Sequence, residues 1–153
     1  MRRRHAARWV RWLQAAVGLS IVGAVGFATF VAATGNPQST LYITLGELRS
    51  RAAESLEIAR GSSASQLTPN FVRAQTGQLA PRIASLRDAL ADAETHDGGP
   101  DAHTARSLSE RLLALTQQLG ERAETPSAAK PIERELSAIV ERLVPLARSA
   151  RPG

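Results

Sequence analysis

Residues 132–146, with the sequence IERELSAIVERLVPL, carry the pattern that decides the fold of this chain. Apolar side chains recur there in steps of three and four residues, and mostly polar or charged side chains fill the positions between them. The apolar positions are Ile132, Leu136, Ile139, Leu143 and Leu146. This spacing approaches the period of about 3.5 residues found in helices that pack almost parallel to one another. The segment is therefore predicted to be a helix with one apolar stripe.

Three earlier segments repeat this pattern, and strand-forming residues never alternate with polar ones. Their stripes are Leu45, Leu48, Ala52, Ser55 or Leu56, and Ala59; then Leu79, Ile83, Leu86, Leu90 and Ala93; then Ala105, Leu108, Leu112, Leu115 and Leu119. The links between the stripes are short and rich in glycine, proline and serine, which makes consecutive helices antiparallel neighbours. The sequence predicts an all-α domain over residues 44–150, an antiparallel (up-down-up-down) four-helix bundle.

Two local signals set the expected boundaries of this domain. Gly35-Asn36-Pro37 is typical of a helix end, so residues 35–43 are predicted to be a linker. Thr44 and Glu47 have the spacing of a capping box, which predicts that the first helix of the bundle begins at Thr44. Pro81 falls inside the second stripe and predicts a kink or break there.

The N-terminal segment is strongly basic and is followed by a long uncharged run. Five arginines in residues 1–12 account for the whole formal net charge of +5, and they are Arg2, Arg3, Arg4, Arg8 and Arg11. Residues 13–34 are predominantly apolar and at 1.5 Å per residue span about 33 Å, close to the thickness of a bilayer core. Trp9 and Trp12 lie where indole rings favour the headgroup layer. Residues 13–34 are predicted to be a transmembrane signal anchor, with residues 1–12 in the cytoplasm and the bundle outside.

Two further features of the N-terminal segment leave alternatives open. Small residues before Thr34 allow cleavage by a signal peptidase after Ala33, which would release the bundle as a secreted protein. Small residues also recur every fourth position and would let two spanning helices approach closely, which makes a homodimer a possible state. These positions are Ala16, Ser20, Ala24, Ala28 and Ala32.

The predicted arrangement, a membrane helix followed by an outward four-helix bundle, resembles the extracytoplasmic sensor domains of chemoreceptors and sensor kinases. The resemblance concerns architecture alone and rests on no shared motif. Those receptors re-enter the membrane after the fourth helix, whereas this chain stops close to its last apolar stripe. The resemblance therefore implies a sensor-like module whose signal leaves through a partner protein.

The best candidate for a metal site is the link between the second and third stripes. It contains His96, Asp97, Asp101 and His103, and imidazole and carboxylate groups bind zinc, nickel or copper. The same residues also suit a solvated turn in which Asp101 caps the next helix, and we favour that interpretation. Thiolate ligands are excluded because the chain has no cysteine.

A second candidate is a small-anion site formed by arginines of the second stripe. Arg73, Arg82 and Arg87 could meet a carboxylate through bidentate contacts, although side chains that extend to water explain them more simply. The carboxylates fall mainly on outward faces near arginines, so no catalytic residue and no cofactor is predicted. Nucleic-acid binding is not expected, because the positive charge is explained by membrane topology.

The sequence thus predicts a single-pass protein of a bacterial inner membrane with a non-enzymatic extracytoplasmic bundle that acts as a scaffold, accessory or sensor-like interaction module. Its expected partners are the lipid bilayer and another membrane or envelope protein. Leu56, Leu113 and Val140 lie beside the apolar stripes and are the candidate contact residues. The alternative is the secreted bundle, cleaved after Ala33, that binds a small anion or a divalent metal.

Overall fold

Four α-helices make up the part of the chain that the structure, a computed structural model, describes, which is residues 37–97 and 100–150. Their bounds are Pro37–Ser63 for α1, Pro69–Asp97 for α2, Pro100–Glu121 for α3 and Pro126–Ser149 for α4. No strand occurs in these two ranges. The prediction of an all-α protein with four helices is therefore confirmed for them. The predicted cytoplasmic segment, membrane helix, small-residue stripe and cleavage site fall in residues 1–34 and lie outside the described residues.

Each of these four helices begins at a proline. The first residue of a helix needs no N–H donor, and the fixed φ of proline already matches the helical value. Pro37 is therefore the first residue of α1, and the predicted linker 35–43 is wrong from Pro37 onward. The early start also lets Leu41 pack against the core, so it extends the first apolar stripe by one turn.

The predicted capping box at the start of the bundle is wrong for the same reason, because both of its residues lie inside α1. The hydroxyl of Thr44 donates to the carbonyl oxygen of Thr40 at 2.9 Å, one turn earlier in the helix. The carboxylate of Glu47 pairs with Arg51 one turn later, at 3.4 Å. A threonine followed three residues later by glutamate is thus equally compatible with a helix interior.

Helix α1 ends in a Schellman motif. The N–H of Gln66 donates to the carbonyl of Gly61 at 2.8 Å and the N–H of Ser65 donates to that of Ser62 at 3.0 Å. Ser65 adopts the left-handed φ of 56° that this motif requires. Gly61 is needed in the last turn because a Cβ there would lie 2.7 Å from the side chain of Leu67, which folds back over it.

Helix α2 runs through Pro81, so of the predicted kink or break the break is wrong. The missing N–H leaves the carbonyl of Gly77 without its helical donor, but both residues are exposed and water can replace that donor. The helix is fixed at its start instead, where the N–H of Phe71 donates to the hydroxyl of Thr68 at 3.3 Å.

Contacts between helix ends establish that α1 runs antiparallel to α4 and that α3 runs antiparallel to both α2 and α4. Ser63 at the end of α1 donates to Glu133 near the start of α4 at 2.8 Å. Arg73 at the start of α2 pairs with Glu124, just beyond the end of α3. Ser149 at the end of α4 donates to Asp101 at the start of α3, at 2.7 Å. The up-down-up-down topology is confirmed, and α4 ends at the end of the bundle where α1 begins.

The core lies along the common axis and is built almost entirely from the predicted stripes. Its largest fully buried side chains are Leu45, Leu48, Leu79, Ile83, Leu90, Leu112, Leu115, Leu119, Leu136 and Leu143. One buried polar contact crosses it, because the hydroxyl groups of Ser55 and Thr116 lie 3.1 Å apart. Thr116 also donates to the carbonyl of Leu112, so both buried hydroxyl groups are satisfied. Helices α2 and α3 pack most extensively, followed by α1 and α4.

Candidate interaction surface

The predicted metal-binding residues are not brought together in the part that the structure describes. Asp101 accepts its hydrogen bond from Ser149 on α4, whereas His103 faces Glu94 on α2, with Nδ1 2.8 Å from the carboxylate. The side chains of His96 and Asp97 lie outside the described residues. Among the described residues, no group of three or more histidine, aspartate, glutamate or cysteine side chains has the geometry to hold a metal ion.

Glu94 instead organises an electrostatic cluster between α2 and α3. Its carboxylate accepts from His103 and, at 3.1 Å, from Arg106, which also reaches Glu110 at 3.2 Å. The hydrogen bond from His103, followed by that from Arg106, lowers the pKa of Glu94. The hydrogen bond to Glu94, followed by that to Glu110, raises the pKa of Arg106. The cluster joins the end of α2 to the start of α3.

The three arginines of the predicted anion site are held apart. Arg73 binds Glu124 and donates to Asn70 at 2.9 Å, and Arg87 binds Asp88 at 2.7 Å. Arg73 and Arg87 are separated along α2 by about 21 Å at 1.5 Å per residue. Arg82 is exposed. These guanidinium groups do not converge on one point, so a single small carboxylate could not bridge Arg73 and Arg87.

The three predicted contact residues have different environments. Leu56 is only 6 % exposed and belongs to the core, so its prediction as an exposed anchor is wrong. The reason is that α1 buries both of two adjacent positions, Ser55 and Leu56. Leu113 and Val140 are half-buried at the edge of the core and keep part of their apolar surface accessible.

Phe71 is the one large apolar side chain among the described residues that is strongly exposed, at 46 %. It lies in the first turn of α2, next to the Thr68 cap. A single exposed apolar side chain is ordinary on a soluble domain, and a binding surface needs a contiguous patch. Phe71 therefore marks no surface by itself.

A contiguous patch does occur where α2 and α3 lie side by side. Gly77, Ala80 and Ala84 follow Arg73 on α2 in steps of four, three and four, which places them on the flank that Arg73 turns toward α3. On α3, Leu113, Gln117 and Gly120 precede Glu124 in the same steps. We call these six residues the α2–α3 face; Gly77 and Gln117 are exposed and the other four are half-buried.

The α2–α3 face is uncharged, but ion pairs border it at both ends. Arg73 and Glu124 form the border at one end. At the other end, Arg87 pairs with Asp88 at 2.7 Å and Arg106 pairs with Glu110 at 3.2 Å. An uncharged centre with a charged rim is the usual anatomy of a protein–protein interface. By contrast, the outward side of α1 carries a ladder of pairs formed by Glu47, Arg51, Glu54, Glu57 and Arg60.

Helices α2 and α3 approach each other closely along this face. Gly120 lies against the buried side chain of Thr76, and a Cβ on Gly120 would come 3.3 Å from the Cβ of Thr76.

Sequence reasoning identified Leu113 but missed the other members of the α2–α3 face, because alanine and glycine contribute little to a hydrophobic pattern. The available signal was charge depletion, since Arg82 is the one charged residue in positions 74–86.

The stability of the folded bundle is expected to depend on pH through Glu133. Hydrogen bonds from Ser63 on α1, at 2.8 Å, and from Lys130 lower its pKa. A carboxylate whose pKa is lowered by folding stabilises the native state above its unfolded pKa, and that stabilisation is lost as the pH falls through the folded pKa. We expect the melting temperature, followed by circular dichroism, to decrease as the pH is lowered beyond about 4.5. The Glu133→Gln variant should show a smaller decrease over the same pH range.

Glu141→Gln is the matched control for this measurement, because Glu141 is exposed on the same helix and the described residues offer it no ion pair or hydrogen bond. Equal slopes of melting temperature against pH for the two variants and the parent would contradict a contribution from Glu133.

Comparisons with protein-family models, curated proteins and solved structures gave no match for this chain. Among the described residues, no helix combines the length and apolar character needed to cross a membrane. The apolar run of residues 13–34 lies outside that range.

Proposed function

We propose that this chain is a single-pass membrane protein whose extracytoplasmic helical bundle is a non-enzymatic interaction module, in the role of a scaffold or sensor-like accessory subunit. The observation that carries this proposal is the α2–α3 face, an uncharged outward patch bordered by ion pairs. Many other surface charges pair with neighbours on the same or an adjacent helix. Such pairs contribute little to stability, so a charge-free patch among them is best explained by contact with another molecule.

The membrane anchor is supported by the sequence. The net charge of +5 is confined to residues 1–12, and the next 22 residues contain no charged side chain. An arginine-rich flank is retained on the cytoplasmic side, which directs the rest of the chain across the membrane. The apolar run exceeds the 7–15 residues typical of a cleaved signal core, which favours an uncleaved anchor.

The intact mass of a C-terminally tagged product, measured separately in the membrane and soluble fractions, tests the anchor. We expect the full-length mass in the membrane fraction. A product that begins at Thr34 and is found in the soluble fraction would instead establish the secreted alternative. The proposed interaction module would then act as a released protein.

The interaction is tested by Leu113→Asp, with Ala138→Asp on the exposed side of α4 as the matched control. Both substitutions add one carboxylate to an accessible helix flank, but Leu113 alone belongs to the α2–α3 face. We expect Leu113→Asp to abolish crosslinks in cells between this face and a partner protein. The bundle should keep its helical circular dichroism spectrum. If Ala138→Asp alone reduces crosslinking, the contact surface lies on α4 and the α2–α3 face is not the site.

A further inference from the structure

We infer that the α2–α3 face binds the same face of a second copy of this chain, in a dimer whose two-fold axis runs parallel to the helices. The inference rests on the proposed function in one respect, because a parallel dimer suits two copies anchored in the same membrane. The geometry of the described helices supports it independently, through charge and size complementarity.

Three contacts fix the register of α2 against α3. Arg73 pairs with Glu124, Thr76 lies against Gly120, and Glu94 pairs with His103. The two helices are antiparallel, so each step forward along α2 corresponds to an equal step back along α3. Ala80, Ala84 and Arg87 therefore lie level with Gln117, Leu113 and Glu110, respectively.

Two copies can place this face against itself in two symmetric arrangements. If the two-fold axis lies across the helices, α2 covers α2 of the second copy in the reverse direction. Arg73 then meets Arg87 of the second copy, and Glu110 meets Glu124 of the second copy. These contacts place like charges opposite one another at both borders of the face, which opposes association.

If the axis runs parallel to the helices, α2 covers α3 of the second copy at the same level. Arg73 then faces Glu124 of the second copy, and Arg87 faces Glu110 of the second copy. Because the operation is symmetric, each contact occurs twice. The charges of Arg73, Arg87, Glu110 and Glu124 are therefore complementary to those of a second copy only in the parallel arrangement.

The uncharged residues between these borders also fit the parallel arrangement. Ala84 faces Leu113 of the second copy, and Gly77 faces Gly120 of the second copy. The exposed part of Leu113 thus lies over a small side chain, and glycine opposite glycine lets the helices approach closely. Gln117 faces Ala80 of the second copy, where its long side chain reaches past a methyl group.

The expected dimer is weak in free solution and strengthened by anchoring. The face from Arg73 to Arg87 is about 21 Å long, which limits the interface to the low end of the size range of specific complexes. Two copies confined to one membrane have an effective concentration far above that of dilute solution. The dimer is therefore best tested with the full chain in its membrane.

Disulfide formation between single-cysteine copies distinguishes the arrangements, because the chain has no cysteine of its own. Differently tagged copies that carry Ala80→Cys and Gln117→Cys are co-expressed, and membranes are oxidised with copper phenanthroline. We expect the mixed disulfide to exceed either self-disulfide roughly fivefold, the ratio that favourable contacts totalling about 1 kcal/mol produce. Ser50→Cys on α1 and Ala138→Cys on α4, both exposed, are the matched control pair.

Charge reversal tests the border contacts. A dimer of Arg87→Glu copies places like charges opposite each other twice, and so does a dimer of Glu110→Arg copies. A mixed dimer of the two variants restores both attractive contacts. With Ala80→Cys in one copy and Gln117→Cys in the other, we expect the mixed disulfide to decrease when both copies carry Arg87→Glu or both carry Glu110→Arg. We expect it to return to the parent yield when one copy carries Arg87→Glu and the other carries Glu110→Arg.

Each other outcome overturns a specific part of the inference. Self-disulfides at Ala80→Cys and Gln117→Cys in excess of the mixed one would overturn the parallel arrangement. Crosslinks from the control pair alone, or none from any position in membrane-bound protein, would overturn this face as the dimer surface. A chain in the soluble fraction that still forms the mixed disulfide would contradict the proposed anchor and leave the dimer standing.

Discussion

Replacing Leu56 by aspartate is expected to unfold the bundle. The side chain is 6 % exposed and belongs to the continuous apolar core. Removing a buried leucine to alanine costs about 2–5 kcal/mol, and introducing a carboxylate adds a desolvation penalty, so the total loss should exceed roughly 4 kcal/mol. This is comparable to the lower range of stability of small domains, about 5 kcal/mol. Loss of helical circular dichroism and rapid proteolysis at 25 °C are the expected readouts.

Ala53→Asp is the matched control for Leu56→Asp, because it places the same carboxylate on an exposed position of α1 one turn earlier. We expect its free energy of unfolding to change by less than about 0.5 kcal/mol, as for most surface substitutions. A folded Leu56→Asp variant with normal helicity would contradict the placement of Leu56 in the core.

Replacing Gly120 by alanine is expected to lower the free energy of unfolding by about 2 kcal/mol, although the same change in an exposed helix interior is usually stabilising. The added Cβ would lie 3.3 Å from the Cβ of Thr76 and still closer to its hydroxyl oxygen. Thr76 is 3 % exposed and its hydroxyl already donates to the carbonyl of Val72 at 2.8 Å. The side chain has little room to move, so α2 and α3 must separate. Urea denaturation followed by circular dichroism measures the loss.

Two further variants separate this clash from a general effect of alanine. Gly46→Ala, in α1, meets no atom within 4 Å and should raise stability by about 0.5–1 kcal/mol. Thr76→Ala should recover most of the loss when combined with Gly120→Ala, because it removes the hydroxyl and methyl groups that obstruct the new Cβ. Additive effects of Thr76→Ala and Gly120→Ala would show that the two residues do not contact each other.

The helices themselves were predictable because their signal is local and repeated. A leucine or isoleucine every three or four residues has one stable arrangement in water, which is a helix with that stripe buried. Short links rich in glycine and proline then force consecutive helices to run antiparallel. The core residues Leu48, Leu112 and Leu136 are fully buried where the stripes place them.

The helix ends were less predictable, since one residue type serves opposite roles. Proline ends one helix and begins another with the same geometry, so Pro37 was interpreted as a stop and is the first residue of α1. Pro81 predicted a kink or a break, yet α2 continues past it, because a helix tolerates a lost hydrogen bond when the freed carbonyl faces water. Only the packing of neighbouring turns selects between these outcomes.

The candidate interaction surface required the tertiary structure, because its members are weak signals individually and come from two helices. The sequence shows Gly77, Ala80 and Ala84 as small residues and Gln117 as a polar one, with no indication that they adjoin. The contacts of Arg73 with Glu124 and of Glu94 with His103 set the register that joins them.

For residues 37–97 and 100–150, the sequence by itself determined the helical class, the number of helices and their antiparallel order, because hydrophobic periodicity and link length act over short stretches of chain. Tertiary structure decided that Leu56 is buried and that Leu113 stays accessible, although both lie beside an apolar stripe. The physical reason is that burial depends on what a neighbouring helix places opposite each side chain. The distance between neighbouring helices is set by contacts such as that of Gly120 with Thr76, and no pattern within one helix contains such a contact.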